Sequence, residues 1–95
     1  MAALVIFDVD VHDPIRFRQF QAEVTPLLQA AGARYLVRGG AHRIYEGSWK
    51  PHRLVLMEFP SIAAFEAFYN GDDYQRLKRL REECSSAHLV AVEGV

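Results

Sequence analysis

The chain has a single cysteine, Cys84, so no internal disulfide can form, and neither a CxxC pair nor Cys/His zinc spacing occurs. That usage suits a reducing compartment, and a cytoplasmic location is expected. Excess charge is also missing. Eleven Lys and Arg against 12 Asp and Glu leave a net charge of −1, which offers no global field to nucleic acid or anionic lipid. The densest basic run, Arg76, Lys78, Arg79 and Arg81, wraps around its helix and meets Glu82 and Glu83 at once, as a solvated face does. No long apolar run occurs: Ala2 to Phe7 has no basic leader and reaches Asp8 after six residues, short of a signal segment or a membrane span. The histidines His12, His42, His52 and His88 show neither HxH nor HExxH spacing, so neither a metal nor a bound cofactor is expected.

What is present is the apolar share of a folded domain. With 51% hydrophobic and 24% charged residues in a chain of 95, one domain over residues 1–95 is expected. Leu4 to Val11 reads as a strand, closed by Asp13-Pro14, which can cap and begin a helix. Phe17, Phe20, Val24, Leu27, Leu28 and Ala31 give that helix one apolar stripe. Pro26 predicts a kink or a restart capped by Thr25, and Gly32 a stop. Arg34 to Arg38 reads as a second strand, with a break or bulge at Gly39-Gly40 and a continuation over His42 to Glu46. Arg53 to Phe59 is the most strand-like run, and Pro60-Ser61 caps a helix carrying Ile62, Phe65, Phe68 and Tyr69. Asn70-Gly71 breaks it. Asp72 with Gln75 then resembles a capping box for a helix to about Cys84, and His88 to Glu93 makes the last strand. The order predicts an α+β fold, the ferredoxin-like βαββαβ sandwich with a four-stranded antiparallel sheet and helices on one face.

Alternation then separates the faces. Val5, Phe7, Val9 and Val11 point one way, Leu4, Ile6, Asp8 and Asp10 the other; Arg53, Val55, Met57 and Phe59 oppose Leu54, Leu56 and Glu58. Both faces carry large apolar side chains, and one helical layer covers only one face. A second copy of the sheet is the simplest cover for Leu4, Ile6, Leu54 and Leu56, so a homodimer packed sheet to sheet is expected.

The run from Val37 to Ser61, VRGGAHRIYEGSWKPHRLVLMEFPS, with Tyr69, Tyr74, Gln75, Arg81 and the closing Val92-Glu93-Gly94, resembles the bacterial domain-of-unknown-function family thirteen-thirty. The resemblance runs from Asp13-Pro14 to the terminal Glu-Gly and rests on the ordered combination RGG, EGxW, RLVxxEFPS. It implies the dimeric α/β-barrel superfamily, in which two ferredoxin-like units pack their sheets together, and it implies no established reaction. Haem degradation, found elsewhere in that superfamily, is disfavoured because the only Asn is Asn70, in a helix break.

The function expected from these residues is a small-molecule pocket between sheet and helices, for an organic acid or an aromatic. Glu58 is the candidate base and Arg38 the candidate anion holder; Trp49, Tyr69, Tyr74, Arg81 and Asp8 are candidate ligand contacts. Arg53 reads more as a structural partner of a glutamate. A carboxylate acting as a base requires a raised pKa, which burial beside Leu54 and Leu56 can produce. The chemistry expected is cofactor-free proton transfer or oxygenation; the alternative is a ligand-sensing or assembly module without turnover.

Overall fold

The computed structural model describes residues Met1–Val95. Its elements are β1 (Ala3–Val11), α1 (Pro14–Ala30), β2 (Arg34–Arg38), β3 (Leu54–Phe59), α2 (Ile62–Asn70), α3 (Asp72–Cys84) and β4 (Ser85–Glu93). The strands form one antiparallel sheet in the order β2-β3-β1-β4, the ferredoxin-like arrangement anticipated from the sequence. The strand with apolar residues on both faces thus lies inside the sheet, between β3 and β4. Val5, Phe7 and Val9 of β1, with Val55 and Phe59 of β3, are buried against Phe17, Phe20, Val24 and Leu28 of α1 and Tyr74, Leu77 and Cys84 of α3. On the other face no helix lies, and Val90 and Val92 are exposed.

Local chemistry sets the element ends. The Asp13 carboxylate accepts from the amides of Ile15 and Arg16 at 3.2 Å each, with Pro14 in the first turn. Ser61 caps α2 by accepting from the Ala64 amide at 3.0 Å.

Four local expectations are corrected. Pro26 lies inside α1 and does not end it; Thr25 caps nothing, its hydroxyl donating back to the Gln21 carbonyl at 2.7 Å. The Asp72/Gln75 capping box is absent, because Gly71 occupies the cap and Gln75 donates to the Tyr69 carbonyl at 2.7 Å, tying α3 to the end of α2. Residues His42 to Glu46 form no strand: β2 ends at Arg38, ahead of Gly39 at φ +75°. β4 begins three residues early, directly after α3, where the Ser85 hydroxyl donates to the Arg81 carbonyl at 2.6 Å.

Rings bind the short α2 to the sheet. Phe59 meets Phe65 edge-on at 5.2 Å and Phe68 at 5.4 Å, and Phe68 meets Tyr74 at 4.8 Å. Phe59 is fully buried at the centre of this chain of rings. Phe59→Ala is expected to cost about 3–5 kcal/mol, checked by urea denaturation.

Candidate functional site

Between the sheet and the helices lies a cavity of about 50 Å³. Its floor is a row across the sheet. Arg38 pairs with Val55, Val55 with Phe7, and Phe7 with Leu89, and all four side chains line the cavity. Its roof is Phe17, Phe20, Gln21 and Val24 of α1, Phe65, Phe68 and Tyr69 of α2, and Tyr74 of α3. Leu28, Tyr35, Arg53 and Met57 complete the wall.

A bulge decides which way Arg38 points. The β2–β3 register runs Arg34 to Glu58, Tyr35 to Met57, then skips Leu36 and resumes with Val37 to Leu56 and Arg38 to Val55. Plain alternation would put Arg38 on the face of Arg34. The extra residue turns it to the face of Tyr35, where its guanidinium lies 4.5 Å from the ring centroid. The bulge therefore sits at Leu36, three residues before Gly39, and not at Gly39-Gly40 as the sequence suggested.

Gly39 serves a different purpose. Its φ is +75°, which favours glycine, and a Cβ there would stand 2.5 Å from Arg53 Nε. The missing side chain is the space across which Arg53 lies. Neither Arg38 nor Arg53 has a carboxylate within salt-bridge distance; the ion pairs of the chain involve Asp10 with His12 and His52, Arg16 with Glu83, Arg34 with Glu58, and Arg76 with Asp73. Two unpaired guanidiniums thus border an aromatic cavity.

The predicted site residues divide between the two faces. Arg38, Tyr69 and Tyr74 share the cavity. Arg81 is buried just beside it, with its guanidinium 5.3 Å from the Phe7 ring. Glu58, Asp8 and Trp49 are not in the cavity. Glu58 stands on the helix-free face, held by Arg34 Nε at 2.8 Å, so it cannot act as a base on a ligand beside Arg38. Burial pushes the Tyr74 phenol up, against the opposing charge of Arg81, and so keeps it a proton donor. Arg53, expected as the structural partner of a glutamate, has none and lines the cavity instead, as does Gln21, which the sequence did not single out. Arg53 was nevertheless legible, since it shares a strand face with Val55, Met57 and Phe59; Gln21 is a polar interruption beside the stripe of α1.

Asp8 has another task. It is 6% exposed, and its carboxylate accepts from Trp49 Nε1 at 3.0 Å and from the His52 amide at 2.9 Å. These bonds tether the end of the 39–53 connection to the helix-free face of β1. Burial alone would raise the Asp8 pKa, but the donors of Trp49 and His52 outweigh it and hold the carboxyl below its usual range, contrary to the raised value a base would need.

Because the folded carboxyl titrates below its unfolded value, the tether contributes stability at neutral pH and loses it as pH falls through the folded value. The emission of Trp49, the only tryptophan, is therefore expected to change below about pH 4. Asp8→Ala should produce that change at neutral pH and cost at least the about 1.5–3 kcal/mol that one hydrogen bond to a charged acceptor contributes, read by urea denaturation.

Among solved structures, a protein of unknown function from Rhodopseudomonas palustris, RPA0582, superposes with a TM-score of 0.77 at 15% identity, covering 99% of this chain and 82% of that one. A dimeric ferredoxin-like protein of unknown function from Jannaschia sp. CCS1 gives 0.71 at 14% identity over 99% and 100%. SnoaB, a cofactor-independent oxygenase from Streptomyces nogalater, gives 0.64 at 12% identity over 99% and 93%. At these identities the likeness shows the fold alone. No functionally curated protein matches in sequence. The family match is nearly end to end: residues 2–95 fit the Domain of unknown function (DUF1330), and the chain belongs to that family.

Proposed function

We propose that the protein is a homodimer packed sheet to sheet, each protomer of which binds a small aromatic or alicyclic carboxylate between its sheet and its helices. The observation that carries the ligand class is the pair of unpaired guanidiniums, Arg38 and Arg53, beside an aromatic cavity. An apolar ring suits the Phe and Tyr walls, and a carboxylate supplies the charge the arginines lack.

The size of the cavity sets a condition on entry. About 50 Å³ has room for roughly three or four water molecules, so a ring enters only as the walls move apart. The element suited to move is α2, which has no fully buried residue, is nine residues long, and supplies Phe65, Phe68 and Tyr69. No carboxylate, histidine or cysteine lines the cavity, so proton transfer there falls to the phenols of Tyr69 and Tyr74. That donor set favours a ligand-binding module over carboxylate-driven catalysis. The fold shared with a cofactor-independent oxygenase supports the second reading, in which the same pocket runs chemistry without a bound cofactor.

The dimer reading rests on the helix-free face, where Val90 is 58% and Val92 47% exposed beside half-buried Leu4, Ile6, Leu54 and Leu56. A relative of the same fold is dimeric. Sedimentation at micromolar concentration is expected to give twice the chain mass, and Val90→Asp, at a site exposed in the protomer, should give a folded monomer; a monomeric parent chain overturns the dimer.

For the ligand, titration calorimetry is expected to show benzoate binding and no binding of benzyl alcohol. Arg38→Ala and Arg53→Ala should each weaken benzoate about tenfold or more, the loss that one charged hydrogen bond brings. Equal binding of the acid and the alcohol would sink the carboxylate reading.

A further inference from the structure

Arg81 is the one buried cation of the chain. Its residue is 6% exposed, no carboxylate lies within salt-bridge distance, and its Nε has no hydrogen-bond partner. Its guanidinium lies 5.3 Å from the Phe7 ring centroid, and Tyr74 stands two turns before it on the same buried face of α3. One aromatic face is weak compensation for a guanidinium taken out of water. Phe7 and Tyr74 both line the cavity, whereas Arg81 does not.

The sheet register places this group relative to Arg38. Arg38 pairs with Val55 and Val55 with Phe7, so the Arg38 and Phe7 backbones are two strand spacings apart, about 10 Å. Arg38 thus sits at one end of the floor row, and Arg81 lies over a ring two strands away. A single six-membered ring with oxygen substituents at opposite ends fits such a layout.

We propose that Tyr74, positioned and polarised by Arg81, is an oxyanion donor opposite the Arg38–Arg53 pair, so that the ligand is a carboxylate bearing a second acidic oxygen across its ring, a phenolic or enolic acid. Arg81 donates to the phenol oxygen and Tyr74 donates its proton to the ligand oxygen, each bond strengthening the next. The burial that keeps Tyr74 protonated fits it for donation. The inference rests on the carboxylate reading and adds the second anchor.

The test uses 4-hydroxy-3-nitrobenzoate, whose phenolate is yellow, with 3-nitrobenzoate as the reference that lacks the hydroxyl. On the wild-type protein the bound phenol is expected to ionise at least one pH unit lower than in solution, a tenfold preference for the phenolate. Tyr74→Phe keeps the ring and should abolish the shift of the bound phenol, and the variant's 3-nitrobenzoate affinity, measured alongside, reports what the ring alone contributes. Arg81→Lys should reduce the shift, with far-UV circular dichroism reporting that the variant is folded. A bound probe that titrates as it does free, or a shift that survives in Tyr74→Phe, overturns the oxyanion donor and leaves the carboxylate reading standing. Failure of both nitrobenzoates to bind the wild type overturns both.

Discussion

A central strand that is apolar on both sides, in a chain with helices enough for one side, is the constraint on which the rest depends. β1 buries Val5, Phe7 and Val9 beneath α1 and α3 and presents Leu4 and Ile6 to the face that no helix covers. The two faces therefore take different tasks. The helical side, roofed partly by the short, half-buried α2, contains the aromatic cavity; the bare side carries apolar residues together with the Asp8 tether and the Arg34–Glu58 pair.

Charge is distributed in keeping with that division. Carboxylates on the bare face are paired: Glu58 with Arg34, and Asp8 with the Trp49 indole and the His52 amide. The cations at the cavity have no carboxylate: Arg38 and Arg53 at its wall, and Arg81 buried behind it. A chain of net charge −1 therefore has a locally cationic pocket, because what a ligand meets is set by the nearest unpaired groups and not by the total.

Much of this was legible beforehand because it depends on local periodicity. The alternation in Leu4 to Val11 and Arg53 to Phe59 set the faces of β1 and β3, including the side on which Arg53 lies. The helical stripe from Phe17 to Leu28 set the buried side of α1, and Ser61 and Asp13 cap where their residue types predict. Local patterns failed where a competing contact or backbone turn prevailed. Gln75 found the Tyr69 carbonyl instead of a capping box, and β2 ended at Arg38, before the turn at Gly39, although residues 42–46 had strand-like composition.

By itself the sequence determined the element order, the ferredoxin-like topology and the two-faced sheet, since backbone geometry repeats every 2 or 3.6 residues and the apolar pattern follows it. Only the tertiary structure decided which functional groups meet. One extra residue at Leu36 turns Arg38 into the cavity, and the 39–53 connection returns onto the helix-free face of β1, where Trp49 meets Asp8 outside the cavity. Glu58 stays with Arg34 on the opposite face. A register shift and a long-range hydrogen bond leave no periodic trace in the chain, because each depends on a neighbour distant in sequence.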